Sequence, residues 1–316
     1  MDLQILEATT DADLERVLAV RNSMERPLSL AGLRAERSSA VASLDLIADR
    51  HGTDIGAGSV AWGPIGAAAA NAFIFAWVLP EHRRTGIGGR LLDRLTAFAR
   101  SRGIERMTTL IYAAETDAID FIRDRGLEID GGGQLGYLDL TTAPGVAPNP
   151  IDGVTVVSLA DRPDLVRELY ALQMLVHPEI PMIANEPLPS FETWLTAGPR
   201  DPGYVPGLTL LALEGDRLIG GIQLYDNADA VVFIGMTSVH PDARRRGIAR
   251  LLKLELARRA RAAGMRGIET YNDGTNERIR GLNESIGYVY DPPYVALRGP
   301  LPGPSETDPS REIQLP

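Results

Sequence analysis

The chain has 316 residues, about twice the length of a typical domain of ~150 residues, so its length predicts two domains. Its formal net charge of −10 argues against duplex nucleic acid or an anionic membrane as the main partner. The absence of cysteine excludes disulfides, thiol nucleophiles and zinc–cysteine sites, and the four histidines show no metal-ligand spacing, so no metal site is predicted.

The sequence also gives no sign of a membrane segment. No apolar run is long enough to span a bilayer, and the acidic start MDLQILEATTDAD lacks the basic residues that open a signal peptide. We therefore expect a globular cytoplasmic protein.

The two halves of the chain begin with similar predicted elements. A short apolar strand (Leu3 to Leu6) precedes a helix that opens near Asp11, and a later strand (Val154 to Leu159) precedes a helix that opens near Asp161. Aspartate suits both helix starts, because its carboxylate accepts hydrogen bonds from the free N–H groups of the first turn.

The second half shows the clearer strand pattern. Leu208 to Val239 reads as three strands joined by turns at Gly215-Asp216 and Asp226-Asn227, and a long amphipathic helix follows from about Gly247. The remaining elements are a strand from Arg266 to Tyr271, a helix from Asn276 to Ser285, and a strand pair around Tyr288–Tyr290 and Tyr294–Leu297. This order predicts an α/β fold around a mixed sheet.

The chain contains an internal repeat. WVLPEHRRTGIGGRLLDRLTAFARSRGI aligns with SVHPDARRRGIARLLKLELARRARAAGM without any insertion. The aligned residues differ in number by 161 throughout, as in Pro80 and Pro241, Gly86 and Gly247, Gly103 and Gly264, and Gly126 and Gly287. A constant offset over this distance indicates two copies of one domain.

Proline-rich segments mark the predicted boundaries. The stretch 141–153 has three prolines and few large apolar side chains, which is typical of a stiff linker. The tail 299–316 has the same character and predicts a flexible end. We therefore predict an N-terminal domain over 1–140 and a C-terminal domain over 154–298.

The sharpest chemical feature is a glycine-arginine loop between a strand and the long helix of each half. It reads VLPEHRRTGIG in the first half and VHPDARRRGIA in the second. Glycine lets consecutive N–H groups point into one concavity at a helix N-terminus, where the helix dipole and the arginines add positive potential. This pattern predicts a pyrophosphate site. It lacks the Gly-Lys-[Ser/Thr] ending of a nucleotide loop and the spacing of G-x-G-x-x-G.

These loops resemble the acetyl-CoA signature of the GCN5-related N-acetyltransferases, Arg/Gln-x-x-Gly-x-Gly/Ala. The signature is present as Arg83-x-x-Gly86-x-Gly88 and as Arg244-x-x-Gly247-x-Ala249. Downstream, NDGTNERIRGLNESIGY is similar to the asparagine-rich segment of that family. The resemblance covers nearly the whole chain and implies a tandem repeat of two such domains, each with a mixed, splayed β-sheet flanked by helices.

The resemblance implies acetyl-CoA as the acyl donor and direct attack by an amine, with no covalent enzyme intermediate. In the second half it assigns cofactor binding to Ser238, Val239, Arg244, Arg245, Arg246, Gly247, Ile248, Ala249, Asn272, Asn276 and Asn283. In the first half the corresponding residues are Val78, Arg83, Arg84, Thr85, Gly86, Ile87, Gly88 and Gly89.

The halves differ in the residues that the chemistry would use. Many family members carry a tyrosine that protonates the departing thiolate, and the matching positions here are Asn283 and Ile122. Asn272 and Asn276 likewise align with Ile111 and Glu115. The second half therefore keeps a polar set, and we predict catalysis there, with the first half a degenerate copy that can still bind CoA.

The catalytic groups are predicted on the acceptor side. The second half has about ten extra residues, HPEIPMIANE or nearby, after its first helix, and their carboxylate Glu179 is the predicted general base. Glu269 is the alternative base. Tyr271, or solvent, is predicted to protonate the thiolate, since a thiol leaving group needs little acid assistance.

Other interpretations stay open at this point. His240 and Tyr225 are weaker candidates for the site, and Trp194 is more typical of a core residue. A non-catalytic protein that binds or senses acetyl-CoA is the alternative function, and the missing tyrosines favour it. The sequence does not identify the acceptor, and an internal repeat is compatible with a monomer.

Overall fold

The computed structural model describes residues 3–63, 71–143, 145, 147–180, 188–227 and 229–303. The chain forms two compact units. The first contains Met1–Asp130 together with Val295–Pro316, and the second contains Gly131–Tyr294. Each unit is an α/β structure with a mixed sheet and flanking helices, as predicted.

The elements up to residue 139 follow one another in the predicted alternation. They are β1 (Leu3–Glu7), α1 (Asp11–Asn22), α2 (Leu30–Ser39), β2 (Ala42–Arg50), β3 (Thr53–Trp62), β4 (Asn71–Val78), α3 (Ile87–Arg100), β5 (Arg106–Tyr112), α4 (Thr116–Arg123) and β6 (Glu128–Asp139).

The later elements repeat that order. They are β7 (Val154–Ser158), α5 (Val166–Val176), α6 (Phe191–Ala197), β8 (Leu210–Glu214), β9 (Arg217–Asp226), β10 (Val231–Val239), α7 (Ile248–Ala262), β11 (Gly267–Asp273), α8 (Glu277–Glu284), β12 (Val289–Tyr290) and β13 (Tyr294–Pro300). The turn predicted at Asp226-Asn227 is longer than two residues, because β10 begins only at Val231.

The sheet of each unit has six main strands. Their order is β1-β2-β3-β4-β5-β13 in the first unit and β6-β11-β10-β9-β8-β7 in the second, with β12 paired to β6. The pairs β4–β5 and β10–β11 are parallel, whereas β2–β3, β3–β4, β8–β9 and β9–β10 are antiparallel.

The last strand of each unit comes from the other half of the sequence. With the offset of 161, β6 corresponds to residues 289–300, and β5 corresponds to β11. However, β11 pairs with β6 from Gly267↔Asp139 to Asp273↔Gly133, and β5 neighbours β13. The two halves thus exchange their final strands, so the compact units differ from the sequence-based division into 1–140 and 154–298.

Two helix starts differ from the prediction. The N-cap of α1 is Thr10 rather than Asp11, because the Thr10 hydroxyl accepts from the Asp13 N–H while the Asp13 carboxylate accepts from the Thr10 N–H. In the second half α5 begins only at Val166, after a 3₁₀ turn. Asp161 instead accepts a hydrogen bond from the Ser158 hydroxyl, at 2.6 Å.

Each unit buries one face of its long helix against the sheet. Leu91 and Leu95 of α3 and Leu252 and Leu256 of α7 are fully buried, at the spacing of one helical face. Burial of each such side chain contributes roughly 1.5–3 kcal/mol to stability. This packing fixes the N-terminus of each helix beside the end of the strand that precedes it.

Candidate functional site

Each unit contains a wedge between two parallel strands. β4 and β5 pair only from Asn71↔Arg106 to Phe73↔Thr108, and β10 and β11 pair only from Val231↔Gly267 to Ile234↔Thr270. Beyond these pairs β4 stays bonded to β3, and β10 stays bonded to β9. The strands therefore separate and leave a strand edge facing an open wedge. This confirms the splayed sheet that the sequence predicts.

The glycine-arginine loops lie at the mouth of these wedges. Each follows a short 3₁₀ turn and contains two left-handed residues, Arg84 (φ 61°) and Gly86 (φ 84°) in the first unit and Arg245 (φ 59°) and Gly247 (φ 87°) in the second. A left-handed arginine is uncommon and costs energy, and such strain concentrates at functional sites. The next residue in each unit is the first residue of α3 or α7.

The space above the loop of the second unit is open. A Cβ placed on Gly247 would meet only Ile151 Cδ1, at 3.7 Å, within 4 Å. A ligand can therefore approach the backbone N–H groups at the start of α7, where the helix dipole favours an anion. The loop residues Arg244 to Ala249 fit the diphosphate of a CoA molecule by this test.

The first arginine of each loop bridges the strand end and a carboxylate. In the second unit Arg244 Nε donates to the Val239 carbonyl at 3.3 Å, and its guanidinium pairs with Glu179 at 2.8 Å. Glu179 lies in a 3₁₀ turn after α5 and is half-exposed. The structure thus brings Glu179, the predicted base, to the glycine-arginine loop. Residues 181–187 of the extra segment lie outside the described residues.

The loop of the first unit is more fully neutralised. Arg83 pairs with Glu115 and Arg84 with Asp117, both at 2.8 Å. At the aligned positions the second unit has Asn276 and Arg278. In the second unit Arg244 and Arg246 pair with Glu179 and Glu214, and Arg245 makes no ion pair among the described residues. The second loop therefore carries one more unpaired positive charge than the first.

The apex of the first wedge is apolar. A cavity of about 300 Å³ opens there. Apolar side chains dominate its lining, among them Trp77, Leu92, Met107, Ile111, Phe121 and Ile122. The same lining also includes titratable side chains, among which Glu115 and Asp117 are paired with the loop arginines; they are Glu25, His82, Tyr112, Glu115 and Asp117.

The apex of the second wedge is polar at the aligned positions. Leu92, Ile111 and Ile122 are replaced by Lys253, Asn272 and Asn283. Asn283 is fully buried, and its Nδ2 donates to Asn272 Oδ1 and to the Tyr290 hydroxyl, both at 2.8 Å. The sequence indicated the two asparagines, but Lys253 and Tyr290 were not among the predicted site residues.

Strand β10 is also irregular at the apex. The pairing of β10 with β9 shifts between Ile234 and Met236, so Gly235 has no partner residue in β9. The matching part of β4 pairs with β3 in unbroken register. A bulge reorients backbone N–H groups, and bulges are frequent beside active sites. The only feature of the sequence that indicates this bulge is a glycine inside a strand.

The edge of β10 that faces the wedge belongs to Thr237 and Val239. His240 N–H donates to Ile219 of β9 at 2.9 Å, and backbone groups of successive residues point to opposite sides of a strand. Val239 therefore faces the wedge, and Ser238 bonds toward β9 with its hydroxyl near the Gly221 carbonyl. Val78 holds the position of Val239 in the first unit, where its carbonyl accepts from Arg83.

Glu269 and Tyr271 lie together on one face of β11, as strand alternation predicts. This face is opposite to that of Ile268, which packs in the core with α7. Asn227 donates to the Glu269 carboxylate at 2.5 Å. The Tyr271 ring stacks on Tyr294, with centroids 5.8 Å apart.

The weaker candidates and one predicted ligand residue have structural partners. His240 Nδ1 accepts from the Asp242 N–H at 3.3 Å, and the Tyr225 hydroxyl donates to the Ala197 carbonyl at 3.4 Å. Trp194 Nε1 donates to Gln173 Oε1 at 2.7 Å. Asn276 caps α8, since its side chain accepts from the Ile279 N–H at 3.3 Å.

The described residues contain neither a cluster of metal ligands nor a helix that could span a membrane. No group of three or more histidine, aspartate or glutamate side chains there could hold a metal ion. None of the helices described is both long and apolar enough to cross a membrane.

The chain is similar in sequence and in fold to known acetyltransferases. The model of the acetyltransferase (GNAT) family matches residues 19–127 and 166–288. No curated protein sequence matches the chain. A GCN5-related N-acetyltransferase from Sphaerobacter thermophilus superposes with a TM-score of 0.71 at 20% identity, over 95% of this chain and 97% of that one. A tandem GNAT protein from the clavulanic acid biosynthesis pathway gives 0.70 at 19% identity, over 96% and 100%.

Proposed function

Because the chain belongs to the GNAT family of acetyltransferases, we propose that it transfers the acetyl group of acetyl-CoA to a small primary amine and that the second unit carries out this reaction. The bulge at Gly235 carries the assignment to the second unit. It lies where β10 and β11 separate, and a bulge there can reorient strand-edge N–H groups so that they stabilise the negative charge that a thioester carbonyl would develop. The matching strand of the first unit has no such bulge.

The loop and the strand edge of the second unit would hold acetyl-CoA. The N–H groups of Gly247, Ile248 and Ala249 and the side chains of Arg244, Arg245 and Arg246 suit its diphosphate. The backbone of Val239, next to Ser238, suits the amides of its pantetheine arm. When bound, acetyl-CoA supplies an activated thioester, which an amine can attack without a nucleophilic residue of the enzyme.

Proton transfer falls to the chain's own side chains. An amine arrives mostly as ammonium, so a carboxylate must take a proton from it, and Glu179 is the proposed base with Glu269 in reserve. The ion pair between Glu179 and Arg244 keeps this carboxylate beside the glycine-arginine loop. Tyr271, on the same face of β11 as Glu269, is the side chain that the sequence predicts as the proton donor to the thiolate. Asn283 and Asn272 hold the polar apex in one arrangement through their mutual hydrogen bond.

A second role is the binding of acetyl-CoA without acetyl transfer. The structure of the first unit favours this role for that unit. Its wedge has an apolar apex, and both arginines of its loop are already paired with carboxylates. We propose that the first unit binds acetyl-CoA only weakly, through Arg83, Arg84 and the N–H groups from Gly86 to Gly89. This unit does not catalyse transfer.

A matched pair of glycine substitutions tests the assignment. Gly247→Val and Gly86→Val each force a branched side chain into a left-handed position at the phosphate loop. In an assay of CoA release with a panel of small primary amines, Gly247→Val should abolish turnover and Gly86→Val should retain it. Calorimetry with acetyl-CoA should show that Gly247→Val removes the tighter binding event.

Two results would contradict the proposal. Loss of turnover in a folded Gly86→Val variant would move the chemistry to the first unit. Acetyl-CoA binding by the wild type without CoA release for any amine, peptide amines included, would favour the non-catalytic function.

A further inference from the structure

The helix α7, which starts at the loop of the second wedge, contains the only lysine of the chain, Lys253. It is the sixth residue of α7, and the sixth residue of α3 is Leu92, which lines the first wedge. Both side chains are only 2% exposed. The second unit therefore buries an amine at the position where the first unit buries a hydrocarbon side chain.

This amine has no hydrogen-bond partner among the described residues. Lys253 Nζ lies 5.6 Å from the centroid of the Tyr288 ring, which is within range of a cation–π contact. A buried polar group without a hydrogen bond destabilises the folded protein substantially, and natural proteins keep such groups mainly at functional sites. A ligand in the wedge would supply what Nζ lacks.

The neighbouring polar groups point to the same place. Asn283 aligns with Ile122, which lines the first wedge, and its Oδ1 also has no partner among the described residues. The Tyr290 hydroxyl is fully engaged, because it accepts from Asn283 Nδ2 and donates to Asn272 Oδ1 at 2.6 Å. Lys253 is thus the group at this apex whose protons are not already bound.

We propose that Lys253 Nζ donates the proton that neutralises the CoA thiolate when the thioester is cleaved in the second unit. This inference rests on the proposed function. In the step, the amine nitrogen bonds to the acetyl carbon, and the carbon–sulfur bond breaks with its electron pair passing to sulfur. One proton passes from the Lys253 ammonium to sulfur, the acceptor nitrogen loses its own to the base, and the neutral Lys253 amine then regains a proton from water.

The acidity of Lys253 suits this role. Burial lowers the pKa of Lys253 to about 7. A thiol has a pKa of about 8.5, so transfer from this ammonium to a thiolate is favourable, whereas transfer from an ordinary lysine with a pKa of about 10.4 is not. The transfer also removes a buried charge.

Among the described residues around this ammonium, no carboxylate is free to pair with it. Asn272 of β11 and Asn283 of α8 are uncharged, and burial raises the pKa of both Tyr288 and Tyr290, so both phenols stay neutral. On α7 itself, Glu255 is already held by Arg258 and Arg259. The proton of Lys253 is therefore not held by a neighbouring carboxylate and can pass to a thiolate that forms in the wedge.

Nuclear magnetic resonance can test this contact without any substitution, because ¹³C-labelled lysine gives one side-chain signal from the full chain. The Lys253 signal should titrate near neutral pH in the free protein. CoA should change the chemical shift of this signal, because its sulfur would lie within hydrogen-bond distance of Nζ. Desulfo-CoA, which lacks only the sulfur, should bind without that change.

The outcomes separate this inference from the proposed function. If CoA binds in a manner that Gly247→Val abolishes, yet the Lys253 signal is the same with CoA and desulfo-CoA, the role of Lys253 is wrong and the proposed function stands. If neither ligand binds to the second unit, the proposed function fails and this inference fails with it.

Kinetics gives a second measurement. Lys253→Leu installs the side chain that the first unit already carries at this position, so the fold should tolerate it. We expect kcat to fall about 100-fold, with little change in KM for acetyl-CoA. The decrease of kcat above neutral pH, which the wild type should show, should be absent from the variant. Wild-type kcat in a folded Lys253→Leu variant would overturn the role.

Discussion

The two wedges share a backbone but differ in the side chains that line them. In the first unit the loop arginines are paired with Glu115 and Asp117, and the apex is closed by leucine and isoleucine. In the second unit the aligned positions hold Asn276 and Arg278 at the loop and Lys253, Asn272 and Asn283 at the apex. A repeated fold can therefore keep its geometry in both copies while the apex of one wedge is polar and the apex of the other is apolar.

The difference also shows where stability and function conflict. Burial of Leu92, Ile111 and Ile122 favours folding by roughly 1.5–3 kcal/mol for each fully buried side chain. Lys253 occupies the place of Leu92 and instead requires desolvation of an amine. A destabilising residue inside a well-packed unit is typical of a site where activity opposes stability.

The largest expected effect follows from replacing Lys253 by leucine, the residue at the aligned position of the first unit. Lys253→Leu should stabilise the protein at low pH, where the folded protein carries a buried ammonium. The pKa of Lys253 is about 7 when folded and rises to that of a solvated lysine, about 10.4, on unfolding. Between these values the unfolded chain holds more protons, so the wild-type unfolding free energy should rise with pH by about 1.4 kcal/mol per unit.

Urea unfolding at about pH 6 and about pH 9 measures this effect. The advantage of Lys253→Leu should be several kcal/mol at the lower pH and should shrink as the pH rises. A conservative core change in the same unit, Leu252→Met, should keep the wild-type slope. An advantage of the leucine variant that does not depend on pH would mean that Lys253 titrates like a solvated lysine.

The second prediction concerns the two carboxylates that pair with the signature arginines. Glu179→Gln should lower kcat/KM for the amine by about 100-fold and flatten the acidic limb of its pH profile, as expected for loss of a general base. Glu115→Gln removes the equivalent partner of Arg83 in the first unit and should leave turnover unchanged. Steady-state kinetics between about pH 6 and pH 9 compares them.

A different result would redefine Glu179. If Glu179→Gln raises KM for acetyl-CoA and leaves the pH profile intact, this carboxylate serves only to orient Arg244. The base would then be sought at Glu269, whose carboxylate already accepts a hydrogen bond from Asn227.

The sequence predicted much of the fold, because its signals are local. The repeat, the glycine-arginine loops and the order of strands and helices depend on spacing along the chain, and the structure confirms the splayed strands beside those loops. The exchange of β6 and β13 could not be predicted in this way. Both strands fit either half equally well by pattern, and their pairing depends on partners more than a hundred residues away.

The contacts within the site were also beyond the sequence. The pairing of Glu179 with Arg244 joins two segments 65 residues apart. Lys253 was visible as an aligned partner of Leu92, but its burial depends on how α7, α8 and β11 pack. The bulge at Gly235 depends on the register of two strands, to which a single glycine is only a weak guide.

A smaller effect is expected from exchanging the loop charges. Glu115→Asn combined with Asp117→Arg gives the first unit the residues found at the aligned positions of the second. With Gly247→Val blocking the second loop, calorimetry should show about tenfold tighter binding of CoA to the first unit, an effect that weakens at high salt. The same double change with Gly86→Val added should show no gain. Unchanged affinity in the first case would mean that loop charge does not distinguish the units.

The smallest effect is expected at Asn276, which the family resemblance assigns to the cofactor and the structure places at the N-cap of α8. Its side chain accepts from the Ile279 N–H, whereas Glu115 at the start of α4 makes no such bond. Asn276→Ala should therefore destabilise the protein by about 0.5–2 kcal/mol, and Asn276→Ser should restore most of that loss, because serine is also a good N-cap. Glu115→Ala should cost less, since no cap is lost. If Asn276→Ala instead weakens acetyl-CoA binding tenfold and leaves the urea midpoint unchanged, Asn276 binds the cofactor and the cap is incidental.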